Sequence, residues 1–371
     1  MRSTHAHYPS RGFSLIELMI ALALGLVIVL GVTDLFVNSS RTQGDVSRTS
    51  RQLENSLFAL DLLASELALV GYWGEANYPV VADDPNFGPL RVAEMEGVTV
   101  AGYPTIPPLC AGSGKEGRDP KVELGWAMEY PLVAGLGVDL EVGMSSAACD
   151  GTISSPKDTE EFVAIRRAST CATDSFGGNS CAPIGNFFHL QTNGCYDPNA
   201  NLSGGEIKLH RVTDVDADAV LTYRNFGCGS QLSDRAPVYR YVSRIYYVNH
   251  RDELVRLELG ESNIYRETVL VDGVEALRFE WLIDRSSDGD YDLVRSVTDA
   301  SWSEENRIAD WKNVVGVNVS MIVRSSTPQV GYRDTNVYEL PGQVWTNDHD
   351  QYPRVLRSRT VELINVAGRR R

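Results

Sequence analysis

Residues 13–32 form an apolar run of 20 residues containing one charge, Glu17. At about 1.5 Å per residue, a helix of that length spans about 30 Å, the thickness of a bilayer's hydrocarbon core. The run therefore reads as a membrane-crossing helix. Arg2 and Arg11 precede it, and the positive-inside tendency keeps them cytoplasmic and sends the C-terminal bulk outside. An ordinary secretory signal is cut after its apolar region, at small residues. Residues 27–38 offer no such site, whereas Gly12 stands just before the apolar run. Cleavage after Gly12 would keep the helix on the mature chain.

Glu17 demands its own explanation, because an unpaired carboxylate in hydrocarbon costs about 2.5–3.5 kcal/mol even on mild scales. The bland alternative is a charge near the helix end that reaches back to the headgroups. The leader, the glycine and the phenylalanine beside it argue for function instead.

The stretch Gly12-Phe13-Ser14-Leu15-Ile16-Glu17-Leu18 resembles the N-terminus of the type IV pilin and pseudopilin family. That resemblance implies cleavage after Gly12 by a prepilin peptidase and methylation of the new N-terminal Phe13. It also implies an assembly role for Glu17, whose carboxylate would pair with the N-terminal amine of a neighbouring subunit. Residues 53–67, continuing through Val70-Gly71-Tyr72-Trp73-Gly74, resemble the PilW-type minor pilins, in which such a phrase ends the long helix. Phe279-Glu280-Trp281-Leu282-Ile283-Asp284 and the late Arg359-Thr360-Val361-Glu362-Leu363-Ile364-Asn365 are similar to the same group. Its members often carry a cysteine after the Tyr-Trp-Gly phrase, where this chain has Glu75, so no disulfide map is carried over.

Composition limits the alternatives. The chain has 34 basic and 49 acidic residues, and loss of Arg2 and Arg11 with the leader makes the balance more acidic still. Nucleic-acid binding draws on clustered Lys and Arg, so this surface has the wrong overall sign. The six cysteines, Cys110, Cys149, Cys171, Cys181, Cys195 and Cys228, lie on the exported side without Cys-x-x-Cys spacing. An even count in an oxidising compartment favours structural disulfides over free thiols or metal, and leaves the pairing open. Cys171 with Cys181, across Gly177-Gly178-Asn179-Ser180, is the favoured local closure.

The helix should continue to about residue 69, with Leu53, Leu57, Leu60, Ala64 and Leu67 on one apolar face and a weak point over residues 38–44. Gly71 and Gly74 supply the stop. Residues 78–160, rich in Pro, Gly and Asp, read as a long insertion-like connection with short strands. Strand-like runs follow at 161–168, 206–212, 219–226, 238–249, 254–259, 268–283, 314–324 and 355–366.

Gly112-Ser113-Gly114-Lys115-Glu116-Gly117 fits G-x-G-x-x-G literally, but prolines precede it and Asp119-Pro120 follows, against the strand and helix a dinucleotide site requires. His189, His210, His250 and His349 fall in no metalloprotease or triad-like pattern. Asp284, Ser286, Asp288, Asp290 and Asp292 place oxygens at alternate positions around Gly289, as in a calcium loop. Position 12 of that loop is Arg295, and an acidic hairpin turn is the competing and favoured explanation.

The expected fold is α+β and type IV pilin-like: a long protruding N-terminal helix packed on an antiparallel β-rich head. Residues 1–12 are the cleaved leader, 13–70 the helix (13–32 in the membrane, 33–70 on the head) and 71–371 the head, with an irregular disulfide-bearing region at 74–230. The implied function is a non-enzymatic minor pilin that joins or primes a type IV pilus at or near its tip. No cofactor is required, calcium being the one candidate. Implied partners are other minor pilins, the major pilin, the prepilin peptidase, the inner-membrane assembly machinery and a pilus-tip adhesin, with no nucleic acid. The implied location is the inner membrane, with the head in the periplasm, and then the pilus. Alternatives are a type II secretion minor pseudopilin and, further off, an anchored exported enzyme or a DNA-uptake receptor.

Overall fold

The computed structural model describes residues 12, 14–74, 87–92, 107–113, 119–140, 154–173, 186–195, 204–211, 221–231, 234–347 and 349–367. They fall into two units, Met1–Arg51 and Gln52–Arg371.

One helix supplies the described part of the first unit and the start of the second. Helix α1, Leu15–Ala68, is unbroken over 54 residues. Its apolar side chains from Leu15 to Phe36 are exposed, as lipid-facing residues must be, and this part is long and apolar enough to cross a membrane. No break appears at residues 38–44, contrary to the expected weak point. The hydroxyl of Thr42 bonds back to the carbonyl of Asn38 (2.9 Å), so the polar residues here are absorbed within the helix.

In the second unit the buried face of α1 is not quite the expected one. Leu60, Ala64 and Leu67 are buried, but Leu53 and Leu57 are partly exposed, and Gln52, Ser56, Ala59 and Leu63 complete the buried stripe. Two polar residues open that stripe because each finds a partner. Gln52 Nε2 donates to the carbonyls of Val323 (2.7 Å) and Pro353 (3.0 Å), and Ser56 Oγ to that of Leu53 (2.8 Å). A hydrophobic count alone rotates the face toward Leu53 and Leu57.

The strands are β1 Phe87–Val92, β2 Leu132–Leu136, β3 Glu161–Ala172, β4 Phe188–Thr192, β5 Gly204–Arg211, β6 Val238–Val248, β7 Glu253–Leu259, β8 Tyr265–Asp272, β9 Val274–Ile283, β10 Leu293–Arg295, β11 Val314–Arg324, β12 Val337–Leu340, β13 Gln343–Thr346 and β14 Arg354–Glu362. Eight form one sheet in the order β1-β5-β4-β6-β3-β2, with β7 on β6 and β8 on β7. A second sheet runs β10-β9-β11-β14, and the hairpin β12–β13 closes over it through Tyr338, Leu340 and Trp345 against Ala276, Ile322 and Leu356. Pairing is antiparallel except for β1 with β5. The first eight residues of β3 are all buried because the sheet is covered on both faces there, while β8, at an edge, is largely exposed.

Several expected boundaries move. The run at 268–283 is two strands, because Gly273 (φ 83°) turns the chain where a Cβ would lie 2.8 Å from the carbonyl of Arg324. Residues 221–226 make only an isolated bridge, Arg224 to Arg235, because their backbone groups are divided among Gln191, Gly194, Asp234 and Ala236. The last run ends as a strand at Glu362 and continues as the helical turn Ile364–Ala367. The connecting stretch holds short strands, β1 and β2, as expected, but also helix α2, Pro120–Glu129, which was not. Asp119-Pro120, read as a breaker, is the helix start: Asp119 caps the amide of Lys121 (2.8 Å) and Pro120 occupies a position that needs no N–H.

Candidate functional site

The helix that carries the N-terminal signal begins at its own cap. Ser14 Oγ accepts from the amide of Glu17 (3.2 Å), and the Ser14 carbonyl accepts from the amides of Glu17 and Leu18 (both 3.1 Å). Ser14-x-x-Glu17 has the spacing of a capping box, and the first turn of a helix is where a carboxylate is favoured by the aligned peptide dipoles. The Glu17 side chain is exposed and pairs with no described residue. Gly12 is exposed with open space where a Cβ would be, and Phe13 lies outside the described residues. Chemically, this end presents an anion in an apolar setting, suited to a cation from another molecule.

The other end of α1 is held through the Tyr72-Trp73-Gly74 phrase and the C-terminal block. After the helix, the amide of Gly71 donates to the carbonyl of Arg166 (3.0 Å), the carbonyl of Tyr72 accepts from Ala168 (2.5 Å) and that of Trp73 from Thr192 Oγ1 (3.0 Å). Buried Trp73 stacks on Tyr241 with ring centroids 5.8 Å apart. Gly74 (φ 73°) must be glycine, since a Cβ would meet the Tyr239 ring at 2.6 Å. From the C-terminal block, Asn365 Nδ2 donates to the carbonyl of Ala68 (3.3 Å) and Arg359 pairs with Asp61. In the middle block, Phe279 and Trp281 are buried, and Trp281 stands edge-on to Trp311 at 5.1 Å.

Sequence reasoning missed the ions that fasten the helix. Glu66 accepts from Arg167 Nη2 (3.1 Å) and Arg244 Nη1 (2.7 Å), tying α1 to β3 and β6. Neighbouring carboxylates Glu258 and Glu66 hold the Arg244 guanidinium charged against its burial. Glu160 and Glu161 lie buried beside the fully buried Arg278, Glu160 at 2.8 Å and Glu161 at 3.9 Å. Burial pushes the Glu161 carboxyl up to about 8, opposed by Arg278 and the amide of Phe279. The only hint of these pairs in the sequence was charge inside otherwise apolar runs.

The Asp284–Asp292 segment closes as a turn. The Asp284 side chain is buried and accepts from the amides of Ser287 (2.6 Å) and Gly289 (3.1 Å) and from Ser286 Oγ (3.2 Å). Asp292 accepts from the amides of Arg285 and Ser286 (both 2.8 Å). Asp288 serves the amide of Asp290 (2.9 Å). Among the described residues no three His, Cys, Asp or Glu side chains are grouped to hold a metal.

Cys195 is bonded to Cys228, and Cys110 and Cys171 are each in a disulfide. Cys149 and Cys181 lie outside the described residues, so the favoured closure of Cys171 on Cys181 does too. Of the G-x-G-x-x-G stretch only Gly112 and Ser113 are described. A helix does follow it, but a turn at 109–112 takes the place of the preceding strand, and Gly112 donates its amide to Glu123 (2.9 Å).

Comparison with known proteins places this geometry. Residues 9–33 match the family model of the prokaryotic N-terminal methylation motif, which covers the cap, the glycine and Glu17. The long apolar helix and the antiparallel head fit a type IV pilin-like fold. Residues 241–365 match the family described as Type IV Pilus-assembly protein W, to which that part of the chain is similar. Among solved structures it is similar to a type IV-like pilin from Thermus thermophilus, at 15% identity over 34% of this chain and 70% of that one, with a TM-score of 0.23. No curated protein matches.

Proposed function

We propose that this protein is a non-enzymatic minor pilin that enters a type IV pilus at or near its tip and helps to prime its assembly. The observation that carries the reading is the Ser14-capped membrane helix with Glu17 exposed in its first turn, in a chain whose remote region matches PilW. The leader is removed after Gly12, Phe13 becomes the methylated N-terminus, and the head sits in the periplasm until assembly. Glu17 then takes the terminal amine of an adjacent pilin, a pairing that relieves two charges otherwise costly in lipid. Partners are the major and other minor pilins, the prepilin peptidase, the inner-membrane machinery and an adhesin at the tip.

The test joins two measurements. N-terminal peptide mass should show a mature chain starting at methylated Phe13, and the protein should be found in sheared pili, with its deletion reducing piliation. Loss of type II secretion with normal pili would assign it instead to a pseudopilus.

A further inference from the structure

Strand β6 serves two partners along one side. Its first residues, Val238–Arg240 in register, pair with β4, and Arg244 to Val248 pair with β7. Between them the large sheet forks. A cavity of about 410 Å³ opens at this fork, lined by Phe187, Arg240, Glu258, Glu261, Arg266 and Thr268. That volume lies within the range of small-ligand sites, about 300–1,000 Å³.

The lining is chemically divided. The Arg240 guanidinium lies 3.8 Å from the Phe187 ring centre and leaves its buried Nε without an acceptor. Glu258 is already shared by Arg240 (3.4 Å), Arg244 (3.0 Å) and Arg256 (3.4 Å), so its charge is more than matched. Arg266 and Thr268 are exposed two residues apart on β8 and use their side chains on no other described residue. Glu261, on the turn after β7, is likewise exposed and accepts no side-chain hydrogen bond from a described residue. The lining itself holds two arginines and two glutamates, and because Glu258 is also matched by Arg244 and Arg256 from outside the cavity, Arg266 is left facing it without a described carboxylate partner.

We propose that this fork binds a uronic acid unit of an anionic polysaccharide. Arg266, with Thr268, supplies donors for a carboxylate, a charge-assisted contact of the stronger kind. Glu261 accepts from sugar hydroxyls, and Phe187 provides an apolar wall for the C–H face of the ring. A bare inorganic anion has no hydroxyls for Glu261, and a neutral sugar leaves Arg266 unused. Both arms of the lining are therefore engaged by one ligand class. The proposal does not depend on the pilus reading, because it concerns the head alone.

The experiment is calorimetric titration of the full chain in detergent micelles with digalacturonate, a neutral disaccharide, inorganic sulfate and an acidic peptide. Digalacturonate should bind, and the other three should bind at least about tenfold more weakly. Arg266→Ala should lose about tenfold or more, and Glu261→Gln several-fold, each with an unchanged melting temperature. Absence of heat with millimolar digalacturonate, equal affinity for any of the other probes, or full affinity in Arg266→Ala would overturn the proposal. In the last case Arg266 is a solubilising charge on an edge strand.

Discussion

Helix α1 contains two glutamates with opposite circumstances. Glu17 is exposed in the first turn of a lipid-suited segment and pairs with no described residue, whereas Glu66 is largely buried and gripped by Arg167 and Arg244. One helix thus meets two solvents. Its first part carries a charge that pairs with no described residue, and its last part carries charge already answered within the chain. Under the proposed function a carboxylate of the first kind serves assembly, and one of the second kind serves stability.

Predictions follow that contrast, beginning with the anchoring end. Trp73→Ala removes the stacked ring beside Tyr241 and should destabilise the head by about 3–5 kcal/mol, measured by denaturant unfolding in detergent, with membrane insertion unchanged. Glu66→Ala leaves the buried Arg167 and the largely buried Arg244 without their shared partner and should cost about 3 kcal/mol. A Glu66→Ala protein as stable as the parent would erase the distinction between the two glutamates.

A further effect is set by pH. The folded-state value of Glu161 is raised to about 8 from an ordinary 4.5, so between those values the unfolded chain releases a proton that the native state keeps. Stability should fall as pH rises from about 5 to about 8 by this contribution, and Glu161→Gln should flatten that slope. Melting temperatures across the range, parent against variant, decide it. The smallest expected effect is that of calcium. Because Asp284 already accepts three hydrogen bonds from its own loop, millimolar calcium should leave the melting temperature unchanged, and a clear rise would show that the loop reorganises around the ion.

The contrast also explains what could be read beforehand. The membrane segment and Glu17 were visible because lipid tolerates only a narrow composition, so a single charge stands out. The helix stop at Gly71 and Gly74 was visible because both take positive φ, which glycine adopts without strain. The buried stripe was misplaced at Leu53 and Leu57 because Gln52 is buried by carbonyls of Val323 and Pro353, some 270 to 300 residues away in sequence. The salt bridges of Glu66, Glu160 and Arg278 stayed hidden for the same reason: their partners are chosen by the sheet. The fork at β6 was equally illegible, since nothing in its strand pattern says that one edge will be shared by β4 and β7.

The most direct test of the account is Glu17→Ala, followed in both compartments. Removing the carboxylate makes the segment more apolar, so the variant should accumulate in the inner membrane at parental levels with a parental melting temperature. It should be strongly depleted from sheared pili. Undiminished incorporation into pili would contradict the assignment of Glu17 to assembly.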